Sequence, residues 1–212
     1  DRYGKDGDAW ARARAAALLL FTLPGTPFLY YGEELGMRNA KLRYHELRDP
    51  YTKRFWPFRP GRDPARTPMQ WDGSSQAGFT TGRPWLPVPA DHSALNVAEE
   101  ARDPRSLLSL YKRLIALRRN SPALTSGDVS LVQTNAADCL AYERTARSAD
   151  GGQTRMLIML NFSGRPVELT LPHGVSQGTI VLSTHPDAAD STPLSGQARL
   201  LPDEGRLYRL DD

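Results

Sequence analysis

The sequence predicts an α/β segment followed by an all-β domain. Three observations predict it. A helix pattern that is almost entirely apolar in its second half stops at Pro24-Gly25, and a short continuous apolar run, Phe28–Tyr31, follows at once. A stretch rich in proline and tryptophan, without periodicity, fills residues 38–102. From Gly127 onward apolar residues recur at every second position, the spacing of half-buried strands.

Residues 8–23 read as a helix with Asp8 as its cap, Ala and Leu filling it, and Pro24-Gly25 as its stop. The apolar surface from Ala15 to Leu23 predicts burial on nearly all sides. Phe28–Tyr31, bounded by Pro27 and Gly32, has the signature of a strand covered on both faces, as in a parallel sheet. Tyr30 and Tyr31 are accordingly expected in a core. Residues 38–102 carry Phe55, Trp56, Phe58, Trp71, Phe79 and Trp85, too many aromatic residues for a solvated linker. An ordered, functional excursion is expected there. Asp103-Pro104 reads as a helix start, with Leu107, Leu110, Tyr111, Leu114 and Leu117 at helical spacing, and Asn120-Ser121-Pro122 as its end. The strands expected beyond it are 129–133, 139–144, 155–161, 167–171, 179–183, 198–201 and 206–210. Turn signals separate some of them, at 150–152, 163–164 and 172–174.

Composition narrows the function classes. Lys and Arg number 27 against 24 Asp and Glu, with no basic block, so a nucleic-acid partner is not expected. The longest apolar run is about half the roughly 20 residues that a membrane helix needs, so no membrane partner is expected. Cys139 is the one cysteine, which fits a reducing, cytoplasmic location and reads as a small core residue. His45, His92, His173 and His185 lack metal-ligand spacing, and no phosphate-cradling glycine loop is present. Neither a metal nor a cofactor is expected. The start on Asp1, without an initiator Met, is read as the mark of a fragment.

The order of motifs carries a resemblance. Gly25-Thr26-Pro27-Phe28-Leu29-Tyr30-Tyr31-Gly32-Glu33-Glu34-Leu35-Gly36-Met37 precedes Gly61-Arg62-Asp63-Pro64-Ala65-Arg66-Thr67-Pro68-Met69-Gln70-Trp71-Asp72. Ala77-Gly78-Phe79-Thr80, Pro84-Trp85-Leu86-Pro87-Val88 and Asn96-Val97 follow. Over nearly its whole length the chain resembles the C-terminal part of the α-amylase-type glycoside hydrolases (family 13), in their α-glucosidase and oligo-1,6-glucosidase branch. The resemblance implies that residues 1–125 are the last part of a (β/α)8 TIM barrel: helix 7, strand 8 at Phe28–Tyr31, a long loop and helix 8. It implies a C-terminal antiparallel β-sandwich over 126–212. The partners it implies are an α-glucoside substrate, bound by the complete barrel, and the N-terminal part of the same chain.

Retaining glycoside hydrolysis needs two carboxyl groups about 5–5.5 Å apart across the scissile bond. The family's nucleophile, acid and supporting Asp follow strands four, five and seven, and the last lies in an Asn-His-Asp motif that this chain does not contain. No catalytic residue is therefore assigned, and the chain alone is expected to be inactive. Glu33 and Glu34 are adjacent, and neighbours in an extended chain point to opposite sides, so they do not form the pair. One of them either shapes the pocket floor or hydrogen-bonds loop backbone. The preference for Glu34 rests on the family, where the first position varies more than the second.

Arg66 is the leading substrate-binding candidate. Pro64 and Pro68 restrain its loop, and a guanidinium presents a planar set of donors to a carboxylate or to sugar hydroxyls. The family places the matching arginine at the mouth of the sugar pocket. Asp63 joins Arg66 and Glu34 as a substrate-binding candidate, and a local Arg66–Asp63 ion pair is the alternative. Trp56, Trp71 and Trp85 either stack on sugar rings or, the favoured reading, staple the loop. The implied activity is release of terminal α-linked glucose from short α-glucosides of the maltose or isomaltose type. The alternatives are a maltose isomerase of the trehalose-synthase type and a non-catalytic structural module.

Overall fold

The structure is a computed structural model that describes residue 3 and residues 8–59, 61–147, 151–175, 177–186 and 193–211. Two compact units divide it: Leu29–Ser109, and the described parts of 2–28 with 110–212.

The second unit begins with helix α1, Ala9–Thr22, on which Leu18 and Phe21 are buried. Asp8 occupies the N-cap position, yet its side chain caps nothing. Its backbone is already helical, so the carboxylate does not fold back over the first turn as an extended cap residue would. Two guanidinium groups serve the other end. Arg118 donates to the carbonyls of Phe21 (2.7 Å), Leu23 (2.9 Å) and Gly25, and Arg144 donates to that of Thr22. Cations there satisfy the carbonyls that a helix C-terminus leaves open. Helix α2 (Pro50–Phe55) and helix α3 (Val97–Glu100) belong to the first unit; helix α4 (Leu107–Arg119) enters the second at Leu110, and helix α5 (Pro122–Thr125) follows it.

The strands are β1 (Asp128–Val132), β2 (Cys139–Arg147), β3 (Gln153–Asn161), β4 (Val167–Thr170), β5 (Gln177–Ser183), β6 (Leu194–Ser195), β7 (Gln197–Leu200) and β8 (Gly205–Leu210). They form an antiparallel sheet in the order β1-β2-β3-β8-β5-β6 and an antiparallel β4-β7 pair. The central strand β3 is buried on both faces from Met156 onward. Leu157 and Met159 join a twelve-residue apolar cluster with Leu169 of β4, Leu200 of β7 and Tyr208 of β8, so both sheets share one core. Met156, Ile158 and Leu160 alternate with them, and α1 and α5 contact this strand. Cys139 lies partly buried against the same cluster, as a small core residue. Among the described residues no helix is long and apolar enough to cross a membrane.

The expected buried strand is not formed among the described residues. Residues 26–30 form no strand, and Phe28, Leu29, Tyr30 and Tyr31 are all exposed, Phe28 at 85%. A parallel strand needs a ladder partner, and no described strand pairs with this run. The two tyrosines are not core either. Their hydroxyls instead reach backbone carbonyls at 65 and 67.

The excursion over 38–102 is ordered around short helices. They are two 3-10 turns, Tyr44–Glu46 and Asp63–Ala65, with α2 and α3. Two small apolar clusters anchor the unit, Leu35/Met69/Leu108 and Leu42/Leu47/Leu86. Side chains stitch the rest. Gln70 Nε2 donates to Asp91 Oδ1 (3.1 Å) and to the Leu95 carbonyl (2.8 Å). Asn96 caps α3 by accepting from the Glu99 N–H (2.9 Å). Helix α4 starts three residues later than Asp103-Pro104 would place it. Asp103 accepts the Arg105 N–H in a local turn, and Ser106 Oγ caps the helix by accepting from the Ser109 N–H (3.0 Å). The boundary expected at 125/126 differs from the division by packing, which joins α1, the later part of α4 and α5 to the strands.

Candidate functional site

The loop 61–67 carries two of the three expected substrate-binding residues, and the structure separates their roles. Asp63 has no exposed surface. Its Oδ2 accepts the backbone N–H groups of Arg48 (2.7 Å) and Asp49 (2.8 Å). Asp63 therefore braces the loop through these two amides. Oδ1 is buried without a hydrogen-bond donor among the described residues. The alternative Arg66–Asp63 side-chain ion pair is not formed among the described residues; the link between them is backbone, Arg66 N–H to Asp63 carbonyl at 2.9 Å.

A second carboxylate fixes the other side of the loop. Asp49, buried at 8% exposure, caps α2 and accepts both Arg62 Nη2 (3.0 Å) and Arg62 Nε (3.2 Å). Thr52 Oγ1 donates to Asp49 and accepts the Arg62 N–H (3.2 Å). Hydrogen bonding from Arg62 is the largest cause that holds the Asp49 carboxyl at about 2, well below the ordinary value of 3.8. Sequence reasoning missed Asp49, although Asp49-Pro50 carries the helix-start signal that was given to Asp103-Pro104.

Arg66 is held at the level of its backbone and left free at its side chain. Pro64 accepts the Ala40 N–H through its carbonyl (2.9 Å). Tyr30 donates to the Ala65 carbonyl (3.0 Å), and Tyr31 donates to the Thr67 carbonyl (2.9 Å). The Arg66 guanidinium is half-buried and forms no hydrogen bond or ion pair among the described residues. It acts on Tyr31: burial and Tyr30 push that phenol above its ordinary value, and Arg66 opposes them.

Glu34 sits in a 3-10 turn, Glu33–Leu35, between Gly32 and Gly36, whose φ angles of 83° and 67° favour glycine. The extended geometry assumed for Glu33-Glu34 is thus replaced by a turn with three residues per repeat. The conclusion survives, since successive side chains there diverge by about 120°. Glu33 accepts the Tyr30 N–H (3.2 Å), the loop-backbone role. Glu34 is half-buried and takes no hydrogen bond among the described residues. The tryptophans expected as staples are open, Trp56 at 39%, Trp71 and Trp85 at 50%. No cluster of metal-ligating side chains occurs among the described residues. The guanidinium of Arg66, on the braced loop, and the carboxylate of Glu34, on the turn, are thus both left without hydrogen-bond partners among the described residues, and a guanidinium so placed has a planar set of donors to offer.

Residues 1–127 match the family model described as the α-amylase catalytic domain. The probable α-glucosidase of Rhizobium meliloti (strain 1021) is 38% identical over 76% of this chain and 28% of its own length. The oligo-1,6-glucosidase of Bacillus cereus is 32% identical over 99% of this chain and 40% of its own length. Among solved structures, the trehalulose synthase MutB of Pseudomonas mesoacidophila MX-45 superposes with a TM-score of 0.78 at 33% identity, over 95% of this chain and 38% of that one. The chain thus spans well under half the length of these relatives.

Proposed function

Because the chain belongs to the α-amylase family, we propose that it serves a retaining glycoside hydrolase that releases terminal α-linked glucose from short α-glucosides. The observation that carries this reading is the rigid loop 61–67, which holds a free Arg66 within the part of the chain that matches the catalytic-domain model. Arg66 and Glu34 are the residues proposed to meet the sugar, Arg66 at the mouth of the pocket and Glu34 at its floor. Asp63 positions Arg66.

In this reading the exposed run Phe28–Tyr31 is the eighth strand of a (β/α)8 barrel whose other strands lie in polypeptide beyond these residues. Residues 126–212 are in this reading the C-terminal β-sandwich, a reading supported by the core that both sheets share. The three acids that perform the chemistry belong to the rest of the barrel, and the location is cytoplasmic. The trehalulose synthase neighbours favour a second reading, in which the same pocket rearranges a disaccharide rather than hydrolysing it.

One assay on a chromogenic α-glucoside and on maltose tests both the activity and the site. The full-length protein is expected to release glucose, and the 212-residue chain alone to give no turnover. Arg66→Ala in the full-length protein is expected to lower kcat/KM about tenfold, the equivalent of about 1.4 kcal/mol of transition-state binding. Unchanged kinetics in a folded Arg66→Ala variant would remove Arg66 from the site. Isomeric disaccharide in place of glucose would favour the second reading.

A further inference from the structure

A cleft of about 340 Å³ opens in the Leu29–Ser109 unit, and neither Arg66 nor Glu34 lines it. Its volume is at the lower end of small-molecule pockets, about 300–1,000 Å³. Trp85 lines it, half-exposed, together with Arg48, Arg83, Glu46, Gln76 and His92. We propose that this cleft is an accessory binding site for a neutral mono- or disaccharide that stacks on the Trp85 ring.

The chemistry of the lining selects that ligand. A sugar offers a C–H face to an aromatic ring and a rim of hydroxyls that both donate and accept. Arg48 uses Nε on the Trp85 carbonyl (3.0 Å), and its two Nη groups make no other bond among the described residues. Arg83 has no hydrogen-bond or ion-pair partner among the described residues, so both guanidinium groups offer donors in a plane. Acceptors are also present. Glu46 gives one carboxylate oxygen to the Arg43 N–H (2.6 Å) and keeps the other. His92 Nδ1 sits 2.8 Å from the Pro89 carbonyl, which only accepts, so Nδ1 carries a proton and the neutral imidazole offers Nε2 as an acceptor. Gln76 supplies one group of each kind. A simple anion would use the arginines but would face the Glu46 carboxylate.

The site is also built rather than incidental. Leu47 follows Glu46 and Leu86 follows Trp85, and these two leucines are fully buried in one cluster with Leu42. Both lips are thus pinned to the same apolar anchor. The Arg48–Trp85 hydrogen bond ties them again at the rim. Pro84 and Pro87 bracket the platform and restrict its backbone. A preformed cleft loses little ordering entropy on binding.

The proposal deepens the saccharide reading of the protein, but its test reads binding and not turnover. The indole N–H signals of the four tryptophans, assigned by single Trp→Phe substitutions, are followed by NMR in the 212-residue chain during titration with maltose. The expected result is a saturable shift of the Trp85 indole at millimolar sugar. Arg83→Ala, an exposed change that leaves the fold intact, should weaken it about tenfold. Trp85→Phe should keep part of the affinity, read from the ligand signals, and Trp85→Ala should abolish it. No shift of the Trp85 indole, or a shift produced by inorganic phosphate and not by maltose, would overturn the proposal. Loss of binding with glucose release by the full-length protein intact sinks the cleft alone. Binding without any turnover leaves the cleft standing and sinks the activity.

Discussion

The strand-bearing unit and the Leu29–Ser109 unit solve the same problem in different ways. In the first, ladders pair the backbone, and a twelve-residue cluster gathers side chains from both sheets. In the second, the described apolar clusters have three buried members each, and side chains do what ladders do elsewhere. Asp63 takes two backbone amides, Gln70 spans to residues 91 and 95, and two tyrosine hydroxyls hold carbonyls at 65 and 67. A ladder tolerates most single changes because each bond has neighbours. A loop held by one carboxylate depends on that carboxylate. The difference suits the units to different work, since binding groups belong on irregular backbone that something else keeps rigid.

The largest expected effect tests whether the ladder unit really has no such single point. Arg144 is its exception: a fully buried guanidinium that donates to the carbonyls of Thr22, Gly127 (2.8 Å) and Asp128 (3.3 Å). Arg144→Ala leaves these acceptors in a buried position without a donor and opens a cavity. The expected cost is about 3–5 kcal/mol in urea unfolding followed by far-UV circular dichroism. Arg118→Ala removes donors from a less buried place and should cost about 1 kcal/mol. Equal, small losses from both would mean that the sheets alone hold α1.

The next effect is local to the other unit. Asp63→Ala strands the N–H groups of Arg48 and Asp49, and about 1–3 kcal/mol of local stability should go with them. Amide exchange at Arg48 and Asp49 should speed up by one to two orders of magnitude while amides in β3 keep their protection. Asp63→Asn keeps an acceptor oxygen and should lie between the two. Loss of protection in β3 as well would show that the two units open together.

These contrasts also explain what the sequence made legible. Seven of the eight strands sit within three residues of where period-two patterning places them, because each is long enough to show the alternation. β6 went unseen because Leu194–Ser195 has two residues, too few for any period. Phe28–Tyr31 misled because an apolar run records the need for cover, not the presence of strand partners. The start of α4 misled because Ser106 competes with Asp103 as a cap, and local sequence does not rank them. At the site, Arg66 was legible as a residue, but the brace was not. Asp63 lies 15 residues from Arg48, and nothing periodic links positions joined by one carboxylate. Tyr30 and Tyr31 looked like core for the same reason, since their partners at 65 and 67 are equally remote.

The smallest effect is a titration, and it separates charge from hydrogen bonding in the same loop. The Asp49 carboxyl is held at about 2 by Arg62, against 3.8 ordinarily. A depressed value means that the folded loop favours the ionised form. Its contribution is complete above about pH 4 and disappears as the pH falls through about 2, so nothing changes near neutrality. A carbon-13 carboxyl titration should give Asp49 a midpoint near 2, and Arg62→Ala should move that midpoint up toward 3.8. Asp72, lowered mainly by its hydrogen bonds with Ser74, is the internal control and should not respond to the Arg62 change. If Asp49 stays low without Arg62, the Thr52 hydroxyl and the Tyr51 amide are sufficient to hold it. The loop would then resemble its ladder-built neighbour, with neutral donors fixing the backbone and the guanidinium adding little.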